Sequence, residues 1–159
     1  MEKIFIDANP FIYFLSDVKL KSDKVQAVLE DKNNQLYASY GVLNEVKFKL
    51  LMNKAIEDYK TTKKYELIKL INTKEELRTS VIERYLKFFI NISHLVKILD
   101  MNETVEKLTC SIIIQDGLLP TDASIVALML NNKISKILTE DSDFKKLKSI
   151  EVIEVWFTK

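Results

Sequence analysis

The chain has 159 residues, 47% of them hydrophobic and 30% charged, enough for one globular domain with a sizeable core and unlike a disordered or fibrous chain. A net charge of +1 excludes a globally basic nucleic-acid binder, so any such binding must come from local patches. The single cysteine, Cys110, excludes an internal disulfide and a cysteine-rich zinc site, and no apolar run reaches the ~20 residues that span a membrane.

In chain order, Ile4-Phe5-Ile6 is a continuous apolar run, as in a strand buried on both faces. It follows the first residue almost at once, a layout unlike a secretory leader, and a cytoplasmic protein is expected. Pro10 suits the first turn of a helix continued by Phe11 to Leu15. A helix is predicted over about 22–31, a strand over 35–39 and a helix over 41–52. Residues 54–92 hold Lys, Glu, Ile and Leu at helical spacing without Gly or Pro, which predicts two helices that could pair antiparallel. Residues 95–99 form a third strand. Asn102 should cap a helix that Gly117 ends. Thr121, just after Pro120, should cap a helix from Asp122 to about Leu130. Strands over 134–139 and 152–157 complete the set.

Strands alternating with helices predict an α/β fold: a central, mainly parallel sheet of four to five strands flanked by helices, with a helical pair at about 54–92. Residues 1–159 read as a single domain. In such sheets ligands bind beyond the carboxyl ends of the strands. Asp7 directly follows the first strand, and Asp141 and Asp143 follow the fourth. Asp122 leads the apolar stripe Ile125, Val126 and Met129, and Glu45 shares a helical stripe with Val42, Phe48 and Met52, so both should face inward. Inward carboxylates are costly unless paired or bound to a metal. Oxygen donors without Cys or His favour Mg2+ or Mn2+ over zinc. Each acid alone has a plain reading as a turn, first-turn or solvated residue. The argument rests on their meeting at one sheet edge.

These segments resemble the PIN-domain family. Ile4-Phe5-Ile6-Asp7-Ala8-Asn9 is similar to its opening strand, and Asn44-Glu45-Val46 to its second acidic position. Gly117-Leu118-Leu119-Pro120-Thr121-Asp122-Ala123 is similar to its third, and Thr139-Glu140-Asp141-Ser142-Asp143-Phe144 to the Thr-x-Asp-x-Asp-Phe signature of its fourth. Many members are VapC-type toxins, ribonucleases silenced by an antitoxin. The resemblance implies a central parallel sheet, Mg2+ (or Mn2+) at the acids, an RNA substrate, an antitoxin protein as partner and often a homodimer. It implies that Asp7 and Asp122 are the principal catalytic metal ligands, that Glu45 and Asp141 complete the site and that Asp143 assists. Asn9 would hold Asp7 or a water by hydrogen bonds, and Thr139 would support the loop. Lys47, Lys49, Lys54, Lys60, Lys63 and Lys64 are candidates for gripping a phosphate backbone, although each reads first as a solvated helix residue. His94, the one histidine, reads as structural or surface.

Two other classes compete. A haloacid-dehalogenase-like phosphatase also places an aspartate after its first strand, but needs a second where this chain has Asn9. A PIN-like binding or scaffold module without catalysis is the other. DNA in place of RNA is left open.

Overall fold

A computed structural model describes residues 1–16 and 19–154 of the chain. Its elements run β1 (Glu2–Ile6), α1 (Ala8–Ser16), α2 (Lys19–Glu30), β2 (Asn34–Ser39), α3 (Tyr40–Tyr59), α4 (Lys64–Thr73), α5 (Glu75–Ile92), β3 (Val96–Leu99), α6 (Glu103–Asp116), α7 (Pro120–Asn131), β4 (Lys136–Thr139), a 3-10 turn (Ser142–Lys146) and β5 (Glu151–Glu154). The expected fifth strand begins one residue early, and its positions 155–157 lie outside the described residues.

The five strands form one sheet ordered β3-β2-β1-β4-β5, and every neighbouring pair is parallel. The chain steps outward from β1 through β2 to β3, then returns to lay β4 on the other side of β1. The crevice between β1 and β4 is therefore the point where strand order reverses, where ligands of open α/β sheets bind. Ile6 lies opposite Leu138 in register, so both chains leave the sheet side by side. Ile4, Phe5, Ile6, Ile137 and Leu138 are all buried. Each such side chain contributes about 1.5–3 kcal/mol relative to exposure, so the crevice is fixed by the best-packed part of the molecule.

Helices are delimited by local chemistry. The Ser39 hydroxyl accepts from the Val42 amide at 3.2 Å and starts α3. Asn102 does the same for Val105 at 3.0 Å and starts α6. Gly117 ends α6 at φ 68, where the missing Cβ removes the steric cost. The expected cap at Thr121 is corrected: α7 starts at Pro120, and Leu119 precedes it with no side-chain cap. Proline at the first helical position brings no amide of its own to satisfy and presets φ, which favours a start at Pro120.

In the middle of the chain, α3 runs on to Tyr59 and the expected helical pair becomes α4 and α5. Both pack more on α3 than on each other. From α5, Val81, Tyr85, Phe88 and Ile92 enter the main core, one face at helical spacing. Phe88 meets Phe11 of α1 edge-on, with ring centroids 5.4 Å apart. Helix α4 packs instead into a small separate cluster of Ala55, Leu67 and Leu77. Among the described residues no single helix is long and apolar enough to cross a membrane.

Candidate active site

Asp7 is the first residue beyond β1, and its amide still donates to the Leu138 carbonyl at 3.1 Å. Its side chain is only 7% exposed. Oδ1 accepts from the Ala8 amide at 2.7 Å, and Oδ2 accepts from the Thr139 hydroxyl at 2.7 Å. Thr139 is fully buried at the end of β4, so the two central strands are joined by a charge-assisted bond. Burial pushes the Asp7 carboxyl above its ordinary range; the bonds from Thr139 and Ala8 pull it back, Glu45 raises it again and Lys49 lowers it.

The same threonine shapes the acidic loop. Its hydroxyl oxygen accepts from the Asp141 amide at 2.9 Å, and Asp141 Oδ1 then accepts from the Asp143 amide at 2.8 Å, capping the 3-10 turn. Phe144 follows, fully buried, and pins the turn to the core. Asp143 pairs with Lys146 at 2.5 Å on the surface.

Asp122 stands in the first turn of α7, partly buried. Its stripe Ile125, Val126 and Met129 is buried, as expected from spacing. Its carboxyl is pushed up to about 6, first by burial and then by the charges of Asp141, Asp7, Glu45 and Asp143. The structure thus brings together acids from β1, α3, α7 and the loop after β4, and all the named neighbours of Asp122 carry the same charge.

Glu45 is placed differently from its expected inward stripe. The buried face of α3 is Val42, Leu43, Val46 and Leu50, while Phe48 is 47% exposed. Glu45 stands between these faces, at the rim, where it pairs with Lys49 at 2.6 Å. The role expected for Asn9 also needs correction. Its side-chain oxygen accepts from Lys49 at 3.1 Å, whereas Asp7 is held by Thr139 and Ala8. Beside Asp122 lies an open groove lined by Gly41, Asn44, Glu45, Phe48, Leu119 and Thr121.

Among the described residues, no three acids stand close enough to grip one cation as they are. Glu45 is paired with Lys49, Asp141 accepts from the Asp143 amide and Asp143 is paired with Lys146. The donor set still fits an oxygen-liganded divalent ion. Every candidate ligand is a carboxylate, without sulfur or imidazole, and the acids around Asp122 add their charge to the burial that raises its carboxyl.

Sequence reasoning missed one group. Glu140 accepts from the Tyr13 hydroxyl and pairs with Lys21 at 2.6 Å, and the Lys21 ammonium lies 4.2 Å from the centre of the Tyr13 ring. This cluster ties α1 and α2 to the residue before Asp141. Alternation along the chain gave the one available hint, since Thr139 and Asp141 face the site and Glu140 between them faces away. His94 is exposed in the turn before β3, far along the sheet edge from β4.

Comparison with known proteins finds that the PIN domain family model matches residues 4–150. Ribonuclease VapC6 of Methanocaldococcus jannaschii is 34% identical over 152 residues, covering 95% of this chain and 96% of that one. Ribonuclease VapC2 of the same organism is 29% identical over 154 residues, covering 96% and 94%. Among solved structures, VapBC2 from Rickettsia felis, bound to a DNA fragment from its promoter, aligns with a TM-score of 0.58 at 16% identity, covering 96% of this chain and 98% of that one.

Proposed function

The chain belongs to the PIN-domain family, and from that premise we propose that it is a metal-dependent endoribonuclease hydrolysing RNA phosphodiester bonds, the toxin of a toxin–antitoxin pair. The observation that carries the site is the half-buried Asp122, whose carboxyl is raised to about 6 first by burial and then by the charges of Asp141, Asp7, Glu45 and Asp143. Two relatives named as ribonucleases, alike along nearly their whole length, support the reaction class. Family membership sets the phosphatase alternative aside.

Asp7 and Asp122 are the principal ligands in this proposal, Glu45 and Asp141 complete the set and Asp143 assists. A divalent ion, Mg2+ or Mn2+, would supply acidification of a water and neutralisation of charge on the phosphate. The chain's own part is placement. Thr139 and the Ala8 amide fix both Asp7 oxygens, so little freedom remains to be lost when substrate arrives. Glu45 and Asp141, both partly exposed, stand where water enters and can orient it and take up its proton. The groove between the starts of α3 and α7 leads the RNA strand past these acids. The relatives' names and the Rickettsia felis complex support an antitoxin protein as partner. A homodimer, a cytoplasmic location and one domain over 1–159 belong to the same proposal.

The test is RNA cleavage by the purified protein with Mg2+, Mn2+ or EDTA. Cleavage with either metal and none in EDTA is expected. Cleavage that persists in EDTA, or that falls on DNA alone, overturns the proposal. A scaffold module would show no Mn2+ uptake in calorimetry.

A further inference from the structure

We infer that Lys49 is the built-in counter-cation of the acidic site, holding Glu45 and Asn9 until a divalent ion competes for them. The inference rests on the proposed function for the identity of the competing ion, and on geometry for the rest.

A lysine four residues after a glutamate on a helix is ordinarily a surface pair of little consequence. Two observations set this one apart. Its ammonium lies 2.6 Å from Glu45 Oε1 and also 3.1 Å from Asn9 Oδ1, bridging α3 to the first turn of α1 across 40 positions of sequence. Its charge is felt by the buried Asp7, which the surface pairs Lys54–Asp58 and Lys63–Glu66 do not touch. Lys146, the cation on the other flank, is far more exposed and pairs only within its own turn.

The oxygen that Lys49 holds is one that the proposed ligand set needs. Lys49 occupies Glu45 Oε1, and an ion drawn to Glu45 and Asp122 would meet that positive charge. The ion and the ammonium therefore compete for the Glu45 carboxylate. Released, its ammonium remains one helical turn from Glu45. In the absence of an ion the same lysine balances part of the acids' charge from within the chain.

Two variants test this. Lys49→Met keeps the length of the stem and removes the charge, and Lys49→Arg keeps the charge. Mn2+ binding is measured by calorimetry at fixed pH and salt, and melting is followed in EDTA and in saturating Mn2+. Lys49→Met should bind Mn2+ about tenfold more tightly than wild type, because a competitor and a neighbouring positive charge are both gone. It should melt lower than wild type in EDTA and alike in Mn2+, while Lys49→Arg stays near wild type in both. The tenfold gain should shrink with added salt. A folded Lys49→Met with unchanged or weaker Mn2+ affinity overturns the inference and leaves the proposed function standing. Wild-type protein that takes up no Mn2+ overturns the proposed function itself. Should Lys49→Met fail to fold, Lys49→Gln, whose neutral amide can still bond Asn9, makes the same comparison.

Discussion

The carboxyl ends of β1 and β4 and the outlying helix α4 are held by opposite means. At the strand ends, Asp7 and Thr139 are buried polar groups whose bonds to each other offset their desolvation. Around them lies the main core, and the neighbouring acids add their charge to the burial that raises the Asp122 carboxyl. At α4 there is no such tension. Leu67 meets Ala55 and Leu77 in a small apolar cluster, and the rest is solvated helix face with exposed ion pairs. The difference teaches that this chain places its least stable chemistry on its most stable scaffold. A region with few buried contacts can open without consequence for the site; the acid end has rigidity to spare and uses it to hold charge.

The sharpest way to break that comparison is Asp7→Asn. RNA cleavage should fall about 100-fold or more, since the proposal makes Asp7 a principal ligand, while the melting temperature in EDTA should change little, the removed buried charge being offset by the lost acceptor for Ala8 or Thr139. Full activity in that variant would remove Asp7 from the site. Next in size is Leu67→Ala, which should cost about 2 kcal/mol. The loss should be local: amide exchange in α4 speeds up, and Mn2+ affinity stays within twofold. A matching loss of Mn2+ binding would mean the two regions are one cooperative unit.

The pH dependence sharpens the contrast further. Asp122 and Asp7 both have carboxyls raised above their ordinary values in the folded state. In that window the folded chain binds more protons than the unfolded one, so stability in EDTA should decline as pH rises from about 4 through about 6. Mn2+ competes with the same protons, so its affinity should climb over the same interval. Asp122→Asn should flatten much of the EDTA trend, and an unchanged slope would deny Asp122 its part. The smallest effect is expected at Lys63→Ala, whose partner Glu66 is also exposed. No measurable change in melting is predicted, and a clear drop would show that the α4 surface is more tightly organised than its packing suggests.

Much of the acid end was legible in the residues themselves. A continuous apolar run ending in Asp7, and another ending in Thr139-x-Asp141, announce two buried strands whose ends carry acids. Parallel pairing then puts those ends together. Asp122 was legible because a carboxylate at the head of the Ile125, Val126 and Met129 stripe must face inward. Glu45 was harder. Several stripes can be drawn on a helix, and the one including Phe48 lost to the one including Leu43 and Leu50, which are buried in the main core. The bond from Lys49 to Asn9 and the cluster of Tyr13, Lys21 and Glu140 were not legible. Each joins residues far apart in the chain, and nothing local distinguishes those lysines from their solvated neighbours. The start of α7 lies at Pro120, whose fixed φ suits the first helical position, one residue before the hydroxyl that the spacing offers as a cap.

The hydrogen bonds that run from Asp7 through Thr139 to Asp141 and on to Asp143 bear on how this sequence can drift. Each link spans a fixed number of residues, so a single insertion or deletion between Thr139 and Asp143 would uncouple the loop from β1 at a stroke. The stretch Lys60–Lys63, joining α3 to α4, is held by exposed local bonds, such as Thr61 to Glu66 at 2.6 Å, that do not reach the sheet. Related chains should therefore differ freely in length there and hold the four-residue step after β4 constant, whatever else has changed around it.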